Sequence, residues 1–531
     1  MPAKCIMVQG TASSVGKSLI VAGLCRIFRQ DGYRVAPFKS QNMALNSFIT
    51  ADGKEMGRAQ VVQAEAAGVL PSVEMNPILI KPTTDKKAQV IVNGEVYGNF
   101  SAVEYHNLKP ALAELVRGTY QKLAEQYDVI VIEGAGSPAE INLRDKDLVN
   151  MGMAEMADAP VVLVGDIDKG GVFASLAGTM LLLKEEEKAR VKGVIINKFR
   201  GDAALLEPGL KMLEEIIRVP ALGVLPYARL KIDDEDSVTE KFAGSAKAGG
   251  SATGASIREA TGASIRAADI DIAVLRLPHI SNFTDFNPLE ALPGVQLRYI
   301  TDAEELGRPD MVILPGTKNT LEDLAALRQA GFEEALKRLS DRGTLVMGIC
   351  GGYQMLGMEM EDPLHVESDL ERISGLGLLP VRTVFQPQKV KLQAAGIVAE
   401  SESRGILEGL EGCRVEGYEI HMGKTQLLSG GSPWLAGLPD PGESEYGQGL
   451  AVTDGGCRSE NILGTYLHGI FDNTPFTLGL IQNLRRQKGL ETPTGIPVIS
   501  HRESKEIEYD KLADMLRENM DIAAIYRILE G

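Results

Sequence analysis

This 531-residue sequence lacks any apolar run long enough to cross a membrane. The longest such run, VFASLAGTMLLL at 172–183, has about twelve residues, whereas a transmembrane helix needs roughly 20. The opening residues, MPAKCIMVQG, hold only a short apolar segment, so they predict no secretory signal peptide. We therefore expect a cytoplasmic protein.

Cysteine is scarce, and positive charge is outweighed by negative charge. The five cysteines are odd in number and form no CxxC pair, which argues against a disulfide framework and a zinc site and indicates a reduced compartment. The formal net charge is −17 at pH 7, so we expect neither a nucleic acid nor an anionic membrane as a partner. A local basic pocket for an anionic ligand is compatible with this acidic surface.

The sequence has the composition of a globular protein and the length of more than one domain. Over residues 1–236, short β-branched apolar runs alternate with amphipathic helical patterns. Such runs are typical of strands that are buried on both faces of a parallel sheet. The pattern therefore predicts an α/β domain. Its predicted strands lie at 4–10, 34–40, 128–134, 160–166, 191–198 and 221–226.

A change of composition separates this domain from a second one. Residues 237–268 are rich in Gly, Ala and Ser and contain the near-duplicates TGASIREA and TGASIRAA, which is typical of a flexible linker. A second α/β pattern, followed by a β-rich region, occupies 269–502. The tail at 503–531 is predicted to form one or two amphipathic helices. Strands of the second domain are predicted at 271–277, 310–316 and 343–350.

The segment GTASSVGKS at 10–18 follows a predicted strand and opens a predicted helix, as a phosphate-binding loop (P-loop) does. The general pattern places its first glycine where this sequence has Thr11, and the glycine stands one position earlier, at Gly10. A helix N-terminus offers N–H groups and partial positive charge to an anion. Lys17 is expected to reach the β- and γ-phosphates of ATP, and Ser18 to ligate Mg²⁺. The predicted ATP-binding residues are Gly10, Thr11, Val15, Gly16, Lys17, Ser18 and Lys39.

A loop of the form G-T-x-x-x-V-G-K-S resembles that of dethiobiotin synthetase and its relatives. The resemblance implies an ATPase domain that phosphorylates a carboxylate or a carbamate. Glu133 ends the predicted strand DVIVIEG and Asp52 lies in ADGKEMG, so we expect both to join Ser18 around Mg²⁺. Residues of KSQNMALNS and GDIDKGG are weaker candidates for contact with the substrate. They are Gln41, Asn42, Asp166, Asp168 and Lys169.

The stretch LVMGICGGYQML at 345–356 places Cys350 at the end of a predicted strand, between Gly348 and Gly352. This is the cysteine counterpart of the G-x-S-x-G nucleophile elbow, in which the glycines permit a strained turn that exposes the nucleophile. The N–H groups that follow, at Gly351 and Gly352, are expected to point toward a developing oxyanion. The pattern therefore predicts a cysteine nucleophile.

A cysteine nucleophile needs a base, and the sequence has six histidines. His468 follows a β-like run in GTYLHGIF, with a glycine on each side of TYLH, which suits a presented imidazole. His421, in EGYEIHMG, is the alternative on sequence grounds alone.

The segments LPGTKNT at 314–320, GICGGYQMLG at 348–357 and the late YLHG together resemble a class I glutamine amidotransferase domain. The resemblance implies that Cys350 attacks the glutamine side-chain amide, that His468 is its base, and that Gly316 and Gly351 form the oxyanion hole. Many members follow the histidine with Pro and Glu, whereas His468 is followed by Gly and Ile. A Cys–His dyad, or an acid from elsewhere in the chain, is therefore expected.

Taken together, these motifs, with SPAEINL, GYEIHMG and TYLHGIFD, resemble the cobyric acid synthase family of cobalamin biosynthesis. The resemblance implies glutamine- and ATP-dependent amidation of the b, d, e and g propionates of an adenosylated corrinoid, cobyrinic acid a,c-diamide. A homo-oligomer is compatible with the sequence. One alternative is the cobyrinate a,c-diamide synthase family. Another is a non-catalytic P-loop partitioning or scaffold ATPase, which usually carries an extra early lysine that this loop lacks.

Overall fold

The computed structural model describes residues 3–82, 87–228, 230–233, 269–400, 405–437, 454–491 and 499–531, and the short strand segments 443–444, 447–448 and 450–451. The chain divides into two compact units. The first unit comprises Met1–Ala44, Glu55–Asp233 and Ser504–Gly531, and the second comprises Leu45–Lys54 and Asp234–Glu503. The predicted linker at 237–268 lies outside the described residues.

A parallel sheet forms the centre of the first unit. In spatial order its strands are Ala221–Pro226, Val191–Phe199, Val161–Asp166, Lys4–Gly10, Val129–Glu133 and Val35–Phe38. The six strands predicted from the β-branched runs are all present, and each pairing between them is parallel. The carboxyl ends of Lys4–Gly10, Val129–Glu133 and Val161–Asp166 therefore meet at one edge, where ligands bind in sheets of this kind.

A smaller sheet and a set of helices complete the first unit. The smaller sheet contains Gln41–Met43, Ile78–Pro82, Lys87–Val92 and Glu95–Ser101. The helix Lys17–Gln30 is predicted correctly and carries an apolar face that is buried against the parallel sheet. The other helices are Arg58–Ala67, Ala102–Ala124, Met151–Met156, Val172–Leu182, Glu185–Arg190, Glu207–Ile217, Ile522–Glu530 and His501–Asn519, the last of which begins just before the unit boundary.

The C-terminal tail packs into the core of the first unit. Tyr509, Leu512 and Leu516 belong to the same apolar cluster as the helix Lys17–Gln30. The two helices are so close that a Cβ atom added at Gly23 would lie 2.3 Å from Leu516 Cδ1. The amphipathic pattern predicts these tail helices but does not indicate the surface on which they pack.

The second unit is built around another sheet, which is mostly parallel. In spatial order its strands are Val295–Ile300, Ile270–Leu275, Met311–Leu314, Leu345–Ile349, Ile462–Thr465 and Cys457–Ser459, and the last of these runs antiparallel. The predicted α/β character of both halves of the chain is confirmed. The helices are Asn287–Glu290, Thr320–Gln329, Phe332–Ser340, Gly351–Leu356 and Thr474–Gln487.

The β-rich region of the second unit is dominated by two long antiparallel strands, Val381–Val398 and Arg414–Leu427. Arg414–Leu427 also pairs with the short strand Leu467–His468, which places Tyr418 opposite His468. Within the described part of the chain, no helix combines the length and the apolar character needed to span a membrane.

A short piece of the N-terminal half of the sequence, Leu45–Lys54, belongs to the second unit and is called the 45–54 segment below. Its strand Ser47–Ile49 is buried, and the Ser47 N–H donates to Asn282 Oδ1 at 3.3 Å. The chain therefore contributes to the second unit before the first unit is complete.

Candidate active sites

The predicted phosphate loop lies at the ligand-binding edge of the sheet in the first unit. It connects the strand Lys4–Gly10 to the helix Lys17–Gln30, and Gly16 adopts a left-handed conformation with φ of 99°. A Cβ atom at Gly10 would lie 2.5 Å from Val15 Cγ2, and one at Gly16 would lie 2.1 Å from Asn197 Nδ2. Close packing thus requires glycine at Gly10 itself, one position earlier than in the general pattern.

The side chain of Lys17 is buried and folds back over this loop. Its Nζ donates to the carbonyl oxygens of Ala12, at 3.0 Å, and Gly136, at 3.2 Å. An ammonium group in this position lies above the first turn of the helix, where an anion is favoured. The contact of Lys17 with the β- and γ-phosphates of ATP stays a prediction.

Glu133 is the buried acidic group beside the loop. Its carboxylate accepts from Ser18 Oγ at 2.8 Å, from Lys39 Nζ at 2.9 Å and from Gln63 Nε2 at 2.5 Å. The positive charge of Lys39 compensates a carboxylate that is 1% exposed. Sequence analysis predicted Ser18, Lys39 and Glu133 as site residues but missed Gln63, because its helical sequence context carries no distinguishing motif.

The pair formed by Ser18 and Glu133 fits Mg²⁺ chemically. Both side chains offer hard oxygen donors, and Mg²⁺ in phosphate sites typically takes one or two protein ligands and completes its shell with water and phosphate oxygens. Among the described residues, no group of three or more His, Cys, Asp or Glu side chains is arranged to hold a metal ion.

Asp52, the third predicted metal ligand, belongs to the 45–54 segment of the second unit. There its carboxylate accepts from Thr50 Oγ1 at 2.5 Å and forms an ion pair with Lys54 at 3.3 Å. These contacts stabilise the turn between Thr50 and Lys54. The role of Asp52 as a metal ligand stays a prediction.

The predicted substrate residues of the first unit lie in two places. Asp166 ends the strand Val161–Asp166 and pairs with Lys198 at 3.2 Å, while the Asp168 carboxylate pairs with Arg200 at 2.9 Å. Lys169 follows directly, at the turn before the helix Val172–Leu182.

Gln41 and Asn42 lie on the smaller sheet. Gln41 Oε1 accepts from the Tyr105 hydroxyl at 2.5 Å, and Asn42 Nδ2 donates to Gln60 Oε1 at 3.1 Å. Asn42 is buried and Gln41 is half-buried. Contact of either residue with a substrate stays a prediction.

Sequence analysis missed Asn197, which contacts the phosphate loop. Its Nδ2 donates to the Val15 carbonyl oxygen at 2.8 Å, so it fixes the loop from the strand Val191–Phe199, which lies two strands away from Lys4–Gly10 in the sheet. A polar residue at the end of a predicted buried strand is the signal that could have identified it.

Cys350 occupies the strained elbow that the glycine pattern predicts. It lies between the strand Leu345–Ile349 and the helix Gly351–Leu356, with φ of 53° and ψ of −110°. A Cβ atom at Gly352 would lie 2.0 Å from the Leu314 carbonyl oxygen, so this position cannot carry a side chain without displacing the backbone. The Cys350 thiol lies 3.4 Å from the Ile420 carbonyl oxygen.

His468 is the histidine that interacts electrostatically with this thiol, because Cys350 is among the groups that raise its pKa. Its Nδ1 lies 2.7 Å from Asp285 Oδ2, and the Gly469 N–H donates to Asp285 Oδ1 at 3.1 Å. Burial alone would lower the pKa of His468, but the Asp285 carboxylate and Cys350 outweigh it and raise the pKa to about 10. An imidazolium is therefore favoured beside the sulfur.

Asp285 is the orienting acid that the sequence lacks in the usual place after the histidine. It lies in the short 3₁₀ helix Phe283–Phe286, far from His468 in sequence, and its side chain is buried. The departure from the Pro-Glu pattern indicated that any orienting acid had to come from elsewhere, but no local motif marked which residue it was.

The alternative base, His421, makes a different set of contacts. Its ring stacks on Tyr466 with centroids 3.6 Å apart, and its Nδ1 lies 3.2 Å from the Gly423 carbonyl oxygen. His421 thus forms part of a buried polar cluster, whereas His468 has the geometry of a nucleophile's partner.

The two glycines predicted for the oxyanion hole lie close to this pair. A Cβ atom at Gly316 would lie 3.1 Å from His468 Cε1, and one at Gly351 would lie 3.2 Å from the Thr317 backbone nitrogen. The Gly351 N–H also belongs to the first turn of a helix, where N–H groups have no intrahelical partner. Gly316, Gly351, Cys350 and His468 are therefore adjacent, and the oxyanion role of the glycines stays a prediction.

Replacing Asp285 by asparagine should lower the kcat of the predicted glutaminase reaction by on the order of 10³-fold, because a neutral amide neither fixes the His468 tautomer nor stabilises its positive charge. Asp285 raises the pKa of His468, so the alkaline limb of the glutaminase pH profile should move to lower pH in the variant. Glutamate release measured across pH tests this. An unchanged rate and profile would show that Asp285 does not orient the base.

Comparisons with known proteins agree with the two predicted kinds of domain. Residues 6–237 match a family model described as the CobQ/CobB/MinD/ParA nucleotide binding domain, and residues 271–476 match one described as a CobB/CobQ-like glutamine amidotransferase domain. The chain is 53% identical over 527 residues to a protein of Thermoanaerobacter sp. (strain X514) named cobyric acid synthase, covering 99% of this chain and 98% of that protein. It is 54% identical over 524 residues to a protein of the same name from Clostridium botulinum (strain Loch Maree / Type A3), covering 99% of each chain.

Proposed function

We propose that the acceptor of this enzyme is adenosylcobyrinic acid a,c-diamide. The chain belongs to the cobyric acid synthase family and catalyses glutamine-dependent amidation in cobalamin biosynthesis. The b, d, e and g propionates are the carboxylates amidated, and the product is adenosylcobyric acid. Each amidation consumes one glutamine and one ATP. The identity of 53–54% over nearly the whole chain to proteins named cobyric acid synthase is the observation that supports this acceptor. The arrangement of Cys350, His468 and Asp285 suits the release of ammonia from glutamine.

In the glutaminase half, the Cys350 thiol gives its proton to His468, and the thiolate attacks the side-chain amide carbon of glutamine. His468, whose pKa is raised to about 10, donates a proton to the departing nitrogen, so that NH₃ leaves and a thioester forms. The N–H groups of Gly316 and Gly351 stabilise the oxyanion of the tetrahedral intermediate. Water, deprotonated by His468, then hydrolyses the thioester to glutamate and restores the thiol.

In the synthetase half, an oxygen of the corrinoid carboxylate attacks the γ-phosphorus of ATP, which gives an acyl phosphate and ADP. Lys17 stabilises the negative charge that develops on the transferred phosphoryl group. Ser18 and Glu133 would hold Mg²⁺, which neutralises phosphate charge when bound. Ammonia then adds to the acyl carbon, phosphate leaves, and an amide remains.

The two halves complement each other chemically. An unactivated carboxylate is a poor acceptor for an amine, and phosphorylation supplies its leaving group. Ammonia in bulk water is mostly protonated near neutral pH and is then not a nucleophile, whereas the thiol site releases it unprotonated. This pairing accounts for the presence of both sites in one chain.

Counting the amides added to a defined corrinoid tests the proposed acceptor. Incubation of adenosylcobyrinic acid a,c-diamide with the enzyme, ATP and glutamine should add four amides, measured by mass. Cobyrinic acid without the a and c amides should be the poorer acceptor. Two amides added to cobyrinic acid, with none added to the a,c-diamide, would assign the chain to the sister activity of a,c-diamide synthesis.

A further inference from the structure

The catalytic imidazole of His468 is held on its ring face as well as at Nδ1. The ring of Tyr418 stacks on it with centroids 5.3 Å apart and planes 18° from parallel. The two residues are also paired between their strands, and the backbone there is so close that a Cβ atom at Gly417 would lie 2.0 Å from the His468 carbonyl oxygen. Displacement of the Tyr418 ring would therefore change the orientation of the imidazole.

The 45–54 segment holds Tyr418 in this position. The Tyr418 hydroxyl donates to the Ser47 carbonyl oxygen at 3.1 Å, and the edge of the Phe48 ring packs against the Tyr418 ring with centroids 5.1 Å apart. Ser47, Phe48 and Tyr418 are each at least 96% buried, so the contact excludes water.

The same segment is bonded to the turn that carries Asp285. Asn282 Nδ2 donates to both the Ser47 carbonyl oxygen, at 3.2 Å, and the Tyr418 hydroxyl, at 2.9 Å. Asn282 has φ of 53°, and its carbonyl oxygen accepts from the Asp285 N–H at 3.0 Å. One segment thus supports both partners of His468, the stacked ring and the orienting acid.

In the sequence this segment interrupts the first unit, because it follows Ala44 and ends directly before the strand Glu55–Gly57.

We propose that the 45–54 segment, supplied by the synthetase half of the sequence, is a positioning element for His468. The proposal stands on the contacts of Ser47, Phe48, Asn282 and Tyr418. In this arrangement the imidazole adopts its working orientation when the segment is seated on Tyr418.

Two variants test the proposal in the full-length enzyme. Phe48→Leu removes the ring that packs on Tyr418, and Tyr418→Phe keeps the stacked ring but removes the hydroxyl that bonds to Ser47. Each should lower the glutaminase kcat about tenfold, with little change in the KM for glutamine, because misplacing a catalytic group slows the chemical step. Amidation from ammonium chloride should stay at the wild-type rate, and thermal melting should show that each variant is folded.

The control is Phe332→Leu, which truncates another buried phenylalanine of the second unit. This control should leave the glutaminase kcat unchanged. If it lowered kcat as much as Phe48→Leu does, the effect would be one of general destabilisation and the proposal would be overturned. A wild-type glutaminase rate and pH profile in both Phe48→Leu and Tyr418→Phe would also overturn it.

Discussion

Replacing Lys17 by alanine should lower corrinoid amidation by on the order of 10³-fold with either glutamine or ammonium chloride as the nitrogen source. The reason is that Lys17 is held above the phosphate loop, where its ammonium group would stabilise charge on the transferred phosphoryl group. Both nitrogen sources need the same activated carboxylate, so neither can bypass the loss. The measurement is the amount of amide formed, determined by mass, together with ADP release.

Glutamine hydrolysis without ATP should persist in the Lys17 variant, because Cys350 and His468 belong to the second unit. Lys122→Ala, which removes an exposed lysine of the first unit, is the matched control and should behave as wild type. Wild-type amidation by Lys17→Ala would show that the loop at 10–18 is not the nucleotide site.

Replacing Cys350 by alanine should abolish glutamine-dependent amidation, with a fall on the order of 10⁴-fold or more, because no other group forms the thioester. Alanine keeps the β-carbon at the strained elbow and removes only the sulfur. Amidation from ammonium chloride should remain, since the synthetase half accepts ammonia directly. The measurement is glutamate release alongside amide formation with each nitrogen source.

Cys413→Ala is the control for this variant, because Cys413 is a half-buried cysteine of the same unit outside the described contacts of the catalytic pair. It should leave both activities unchanged. Glutamine-dependent amidation that survives in folded Cys350→Ala would assign ammonia release to a different nucleophile.

Residues that act within a local motif are those that sequence analysis could predict. The P-loop from Gly10 to Ser18 and the elbow at Cys350 each lie between a strand and a helix. Close contacts require their glycines: Gly10 packs on Val15, Gly16 on Asn197, and Gly352 on the backbone of Leu314. The six strands of the first sheet are predicted because burial on both faces leaves a continuous β-branched run in the sequence.

Residues that act across the fold could not be predicted in this way. Asp285 lies 183 positions before His468 in the sequence, and only the packing of the second unit brings their side chains to 2.7 Å. Gln63 and Asn197 support the phosphate site from elements that carry no motif. The 45–54 segment belongs to the second unit because it is buried against Tyr418. Neither hydrophobic periodicity nor turn residues in the sequence indicate this contact.

Amidation rates with glutamine and with ammonium chloride, measured side by side for wild type, Cys350→Ala and Lys17→Ala, test the division of labour most directly. We predict that Cys350→Ala loses only the glutamine-dependent rate and that Lys17→Ala loses both while still hydrolysing glutamine. If folded Cys350→Ala lost both rates, or if Lys17→Ala kept either one, ATP-driven activation and thiol-dependent ammonia release would not be the separate functions of these two sites.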